Sequence, residues 1–495
     1  MLPPRHRPHD ATGIPLWGHR PELHSGPAVA LVFQKALALV ALIAWGSLAS
    51  QVKLLAGEGG LLPADERYAA LQQAGANFFD EPSLFWLLRG DGALVGGTAL
   101  GMALSLAALS GLRPRLCLGL SAPLYLGYAH ACGPFTAFQW DNMLVEMLLL
   151  SAFLPTDRPA PRAHFAFRLL LFKLYLESGI AKWQSHLGDW QDGSAMTFYY
   201  ETAPIPARLA HFMHNLPDAY HRLESWATLV LELLVPLLIF GPRPARLLAF
   251  AVFSAFQVVN TATANYGFFT WLALSLHLFL LRDADVLQLL GAAAARRARL
   301  AAQRTARAVS PWRAALAAVL LWAWIGASTV GALVHFSHEP AVRVALGPLQ
   351  QAHSAFRAAN VYHLFGHITR ERIEPQVELL VDGAFREADL RYKPGPPTRP
   401  PPYVAPHQPR VDFRLWFYGL SFRRGMPRYV DALLTRLCQD PSRVAPLFAA
   451  PLPESFDAVR LSFHRYHFTT RQTLQRTGRY WSRKRLGALP ARPCP

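Results

Sequence analysis

Nine stretches of the chain are apolar over the length of a membrane-crossing helix. Ala28–Ser50 is interrupted only by Gln34 and Lys35, while Ala93–Leu112 and Leu116–Phe135 carry no charge. Ala137–Leu154 holds Asp141 and Glu146, and Phe165–Ala181 holds Arg168, Lys173 and Glu177. Leu223–Phe240 holds Glu224 and Glu232, and Leu247–Thr263, Tyr266–Leu281 and Ala314–Val334 are free of charge. A helix needs about 20 mostly apolar residues to cross the hydrocarbon. The pattern therefore predicts an α-helical polytopic membrane bundle of about nine spans. The first span follows a basic head with Arg5, Arg7 and Arg20 and no small-residue cleavage pattern, so it reads as a retained anchor.

The pattern changes after Val334, and residues 340–495 contain no span. Val377, Leu379 and Val381 alternate, Asp382-Gly383 supplies a turn, and Phe385–Tyr392 returns, which predicts a hairpin over Pro375–Lys393. Pro394–Pro409 is a proline-rich connector, Arg414–Leu420 and Arg428–Cys438 read as helices, and Val459–Thr469 reads as a strand. These elements make a C-terminal soluble α+β domain. The expected organisation is a basic head over 1–27 and an eight-span bundle over 28–281. A basic linker over 282–313, a ninth span over 314–334 and an external domain over 340–495 follow.

Composition agrees with such a hybrid. Hydrophobic residues make up 52% of the 495 and charged residues 16%, below the roughly 25% of soluble domains. The formal charge is +17, and its distribution orients the bundle. With the N-terminus cytoplasmic, the inside segments are the head, Arg113–Arg115, Pro155–His164, Gly241–Arg246 and Arg282–Arg313, which includes Arg296, Arg297, Arg299, Arg304 and Arg307. All are basic, whereas the long outside loops 51–92 and 182–222 are poor in Lys and Arg, as the positive-inside rule requires. The C-terminus then lies outside: in the periplasm for a cell-membrane protein, or in the lumen for one of the endoplasmic reticulum. Basic residues scattered over short loops make no nucleic-acid surface. Four cysteines are too few for a disulfide scaffold. Cys438 and Cys494 would face an oxidising compartment, where pairing and two free thiols both stay open, and Cys117 and Cys132 read as packing residues.

Chemistry is sparse. Nucleotide-binding glycine motifs, Cys-x-x-Cys, HExxH and GxSxG are absent, His363/His367 has no adjacent acidic partner, and His211/His214 and His464/His467 read as hydrogen-bonded structural histidines, so no metal site is expected. Charges within spans are costly and mark function by default, although interhelical ion pairs are the commoner use. Lys173 and Glu177 are placed to pair on one helical face, Glu146 needs a partner from another helix, for which Lys173 or Arg168 is available, and Arg168 reads as reaching to water. Loop 182–222 sets Trp183, Trp190, Phe198, Tyr199 and Tyr200 beside Glu201, Thr202, Pro204 and Pro206, and then His214, His221 and Glu224. An aromatic membrane belt does not need so many polar groups and turns, so a shaped outward surface is expected.

These residues resemble the lipase maturation factor family. The likeness runs through Gln139-Trp140-Asp141 with Glu146, Ser178–Lys182, Trp190 and Tyr199-Tyr200-Glu201-Thr202-x-Pro-x-Pro. It continues through His214–Pro217, His221–Glu224, Glu232, Asn265-Tyr266, Tyr392-Lys393-Pro394-Gly395 and His407-Gln408-Pro409-Arg410-x-Asp412. Asp412-Phe413-Arg414-Leu415-Trp416 departs from the family's aromatic-rich Asp-Trp-x-x-Trp. The family's animal members are endoplasmic-reticulum membrane proteins needed for folding of secreted dimeric lipases. The resemblance therefore implies a maturation factor, with the lipid bilayer and a secreted client protein, a lipase in the animal case, as partners and no cofactor. The bundle is also distantly similar to the vitamin K-dependent carboxylase type at Gly179–Lys182, Trp190, Gly193 and Ala195. That second likeness implies an alternative: an enzyme with Lys182 as base, aided by Glu146, Glu177 and Glu232, and a quinone-like lipid as cofactor.

Overall fold

A computed structural model describes residues 26–289, 291 and 310–495. The basic head up to residue 25 and the arginine run from Arg296 to Arg307 lie outside the described residues.

Each of the nine apolar stretches is helical. The chain begins with α1 (Pro27–Ala49), the short α2 (Val52–Ala56) and α3 (Ala64–Gln73), then α4 (Gly90–Ser110), α5 (Pro114–Ala131), α6 (Gln139–Ser151) and α7 (Pro161–Trp183). Loop helices α8 (Ala195–Thr202) and α9 (Arg208–His214) lead to α10 (Asp218–Leu233), which a 3-10 turn extends over Val235–Phe240. Then come α11 (Arg243–Thr263), α12 (Phe269–His277), α13 (Asp283–Leu289), α14 (Pro311–Phe336) and α15 (Pro340–Ser354).

Among the described residues, five helices are long and apolar enough to cross a membrane: Pro27–Ala49, Gly90–Ser110, Asp218–Phe240, Arg243–Thr263 and Ala314–Phe336. The other four stretches do not meet that measure of length and hydropathy, and the 18-residue α5 among them holds Pro123 and His130. At 1.5 Å per residue the 13-residue α6 reaches only about 20 Å, and α12 is shorter still. Helix α7 is long enough but carries Arg168, Lys173, Glu177 and Lys182, all buried inside the bundle. Arg168 does not reach to water; its Nε donates to the Phe279 carbonyl at 2.9 Å.

The C-terminal part is an antiparallel sheet of order β2-β1-β3-β4, with β5 paired to β3. Its strands are β1 (Arg372–Val381), β2 (Ala384–Ala388), β3 (Ala458–Phe468), β4 (Trp481–Ala488) and β5 (Arg492–Pro493). The hairpin turns at Asp382-Gly383, both with positive φ (52° and 74°), as a two-residue turn between twisted strands requires. Helices α16 (Arg410–Ser421), α17 (Arg428–Gln439) and α18 (Arg471–Thr477) complete it, and Cys438 is disulfide-bonded to Cys494. Gly419 lets α16 lie against β1, since a Cβ there would strike the carbonyl oxygen of Ile373. Gly419→Ala should therefore lever the helix off the strand and cost about 1–3 kcal/mol, the usual range for overpacking. A thermal melt of the full chain in nanodiscs checks it.

The sheet part sits on one end of the bundle and touches four separate stretches of it, one of them twice. Arg436 donates to the Gly60 carbonyl, Arg410 to that of Phe135, and Arg372 to that of Pro204. Asn265 Nδ2 donates to the Pro402 carbonyl, and Trp190 Nε1 to that of Phe365. The remaining turns meet each other at the opposite end. Arg115 bonds the Ala152 carbonyl, Arg243 pairs with Asp285, and Asp283 accepts the Gly26 and Val29 amides that open α1.

Candidate functional site

The predicted site residues collect along the seam between bundle and sheet, and most of them face inward. Trp190, Tyr199, Tyr200, Glu201, Thr202, His221, Asn265, Tyr266, Lys393, Gln408, Arg410 and Asp412 are all buried. Loop 182–222 instead turns Trp183, Leu209 and Phe212 to the outside. The motif side chains are thus not available as a contact surface without opening the seam.

The deepest link is Arg410. It is fully buried with Asp141, and its Nη2 and Nη1 donate to Oδ1 and Oδ2 at 2.8 and 3.0 Å. Nη1 also donates to the Phe135 carbonyl at 2.8 Å, and Tyr125 donates its hydroxyl to Asp141 at 2.6 Å. Planar, bidentate geometry of this kind suits Arg and not Lys. Beside it, the Gln408 amide donates to Ser47 Oγ (3.0 Å), His407 Nδ1 lies 3.0 Å from that oxygen, and Gln51 Oε1 accepts the Arg410 amide at 2.9 Å. Asn265 reads the connector, its Oδ1 accepting the amides of Val404 and Ala405 at 2.7 and 2.9 Å.

A second cluster surrounds Glu146. Its carboxylate accepts from Trp324 Nε1 (2.9 Å), Asn360 Nδ2 (2.8 Å) and the Tyr362 hydroxyl (2.6 Å), and Lys173 Nζ lies 3.8 Å away. Glu177 instead accepts the Tyr362 amide at 2.8 Å. The helical-face pairing of Lys173 with Glu177 thus gives way to a tertiary pair, because Glu146 is fully buried and Lys173 is the cation within reach.

The third cluster lines a cavity of about 410 Å³, within the range of small-molecule sites. Lys182 Nζ is 2.7 Å from Glu232, donates to the Leu364 carbonyl at 2.8 Å and lies over the Trp190 ring at 5.1 Å. The Tyr199 and Tyr266 hydroxyls are 2.6 Å apart, and Tyr200 donates to Glu224 at 2.5 Å. His221 Nδ1 stands 3.7 Å from Glu224.

The fourth cluster belongs to the sheet side. Glu201 accepts the Phe468 amide at 2.9 Å, with His467 Nδ1 at 3.2 Å and His214 Nε2 at 3.6 Å. Burial pushes the His214 imidazole down, and Glu201 opposes it. The Thr202 carbonyl accepts from Trp416, and Pro206 bridges to Ala264. Glu374 stands between Arg372 (2.5 Å) and Lys393 (2.7 Å). Burial raises the Asp412 carboxyl from 3.8 to about 6, opposed by Lys393 and by the Tyr392 amide it accepts. A raised carboxyl value means that the folded state holds its proton more tightly than the unfolded one. The contribution is full below about pH 4 and lost as pH rises through about 6. Relative to Asp412→Asn, the wild type should lose up to about 3 kcal/mol between pH 4 and 7. Paired melts of the two full chains across that range check it.

Sequence reasoning missed Asn360, Tyr362 and the Leu364 and Phe365 carbonyls, which lie in a loop after α15 with no periodicity. It also missed Ser47, Tyr125 and Trp324, which sit inside apolar helices, and Gln51, which lies between α1 and α2. His363 and His367 are separated in that loop: His363 Nδ1 meets Gln139 Nε2 at 2.9 Å, and His367 packs on His186. Among the described residues, no group of three or more His, Cys, Asp and Glu side chains could hold a metal ion.

Two family models match these halves. The lipase maturation factor transmembrane domain matches residues 28–288, more than half of the chain, and the lipase maturation factor C-terminal domain matches residues 358–491. The chain belongs to the lipase maturation factor family. Among its relatives, bovine lipase maturation factor 1 is 29% identical over 509 residues, covering 92% of this chain and 87% of that protein. Human lipase maturation factor 1 is 27% identical and covers 95% of this chain and 89% of its own length. Human lipase maturation factor 2 is 29% identical, with 88% and 77% covered. No solved structure matches. In this family member the seam between the two matched domains is where the motif residues gather. Phe413 and Trp416 are part of it: Phe413 packs against Trp140, and Trp416 bonds Thr202.

Proposed function

We propose that this protein is an integral membrane maturation factor for secreted proteins. In this reading nine helices cross the membrane, the N-terminus is cytoplasmic, and loop 182–222 and the sheet domain serve the client on the non-cytoplasmic side, with a lipase as the first candidate. The observation that carries it is the match of both family domains to a chain whose two halves are locked together by buried polar contacts. The contacts of the sheet part support the topology, since its bundle partners lie in loops 51–92 and 182–222 and in the turns at Phe135 and Asn265, which nine spans put on the same outer side. The Cys438–Cys494 bond supports it as well, because disulfides persist in oxidising compartments. The carboxylase-type alternative is not favoured: Lys182 is held by Glu232, Leu364 and Trp190.

Two experiments test the reading. Alkaline phosphatase fused after residue 340 should be active and after residue 290 inactive; the reverse overturns the orientation. Photo-crosslinkers at the exposed Trp183 and Phe212 should capture a secreted protein in the native membrane. Capture of lipid alone counts against a client there.

A further inference from the structure

The cavity beside Lys182 has a polar inner wall and an apolar mouth. Ala227, Ala255 and Val259 line it and are also exposed. They belong to α10 and α11, which meet through the 3-10 extension Val235–Phe240 but pack hardly at all on one another beyond it. Both helices are among the five that are apolar and long enough to cross a membrane, so the gap between them opens toward lipid chains. On the inner wall Gln257 is buried. Its Nε2 donates to Tyr175 Oη at 3.0 Å, while its Oε1 has no hydrogen-bond partner. A bare buried acceptor is costly, and a donor entering the cavity would offset that cost.

The charges decide which donor. Among the described residues lining the cavity, Lys182 is the only Lys or Arg, and it is engaged by Glu232 and the Leu364 carbonyl. Glu224 and Glu232 also line the cavity, from α10, so a carboxylate or phosphate head would meet two acids and no free cation. A quinone carries only acceptors and leaves Gln257 Oε1 unmet. A neutral head with a hydroxyl fits on both counts.

We propose that this cavity binds a neutral, hydroxyl-bearing lipid of the acylglycerol type, its chain in the gap between α10 and α11 and its hydroxyl donating to Gln257 Oε1. This is a binding property and stands or falls separately from client maturation.

The test uses the full chain in nanodiscs with a monoacylglycerol carrying a diazirine in its acyl chain. After irradiation, adducts should concentrate on cavity residues of α10 and α11. Excess unlabelled monooleoylglycerol should compete, while oleate and ubiquinone should not. Ala255→Trp, at an exposed position that fills the mouth without entering the core, should lower labelling at least about fivefold. Gln257→Leu should weaken competition by about tenfold, the worth of one hydrogen bond. Melting curves establish that both variants are folded. Adducts spread evenly along the lipid faces of α1, α4 and α14 would overturn the proposal. So would labelling unchanged in folded Ala255→Trp, or competition by oleate or ubiquinone equal to that of monooleoylglycerol.

Discussion

Arg410→Leu is expected to destabilise the protein by about 3–5 kcal/mol, the cost of leaving one partner of a buried ion pair alone. Asp141 would keep its carboxylate in a site with no exposure and lose both guanidinium bonds. The Phe135 carbonyl would lose its donor too. Because Arg410 opens α16 on the sheet side and Asp141 opens α6 in the bundle, the damage should appear as separation of the two halves. Limited proteolysis in nanodiscs should release a C-terminal fragment from the variant and not from the wild type. The double variant Arg410→Leu/Asp141→Leu should recover much of the loss, since removing both charges avoids the stranded one. Arg410→Lys should recover little, because an ammonium cannot span both carboxylate oxygens.

Glu146→Ala should cost a comparable 3–5 kcal/mol, for a different reason. One carboxylate there satisfies Trp324 from α14, Asn360 and Tyr362 from the loop after α15, and it is the acid beside Lys173 of α7. Its removal strands an ammonium and several buried donors at once. Glu146→Gln should cost less, because the amide oxygen still accepts from Tyr362. Chemical denaturation in mild detergent, comparing Ala with Gln at this position, reads the difference.

The helices were legible because lipid imposes its own pattern: a run such as Ala93–Leu112 has no other stable reading. The hairpin turn at Asp382-Gly383 and the long strand β3 were legible for equally local reasons. Strand β4 was not, because it is an edge carrying Arg483, Lys484 and Arg485, with no alternation to betray it. Intramembrane acids announced themselves by their cost, and Lys173 was one of two cations open to Glu146, but their distant partners were not legible. Asp141 finds Arg410 across 269 positions, and Glu146 finds Tyr362 across 216. Local spacing even misled at Lys173, where the i, i+4 acid Glu177 loses to Glu146. The aromatic and polar density of loop 182–222 signalled a shaped region without saying which way it faced. Trp190, Tyr199 and Tyr200 turn inward because their partners lie there: the Phe365 carbonyl, Tyr266 and Glu224.

The maturation role is tested most directly by inactivating the gene in its source cell and quantifying the secreted proteins with their transcripts. The expected result is that one or a few secreted proteins, a lipase first among the candidates, lose activity and abundance while their transcripts stay level. The wild-type chain should restore them and Arg410→Leu should not. A secreted set unchanged in activity and abundance would contradict the account.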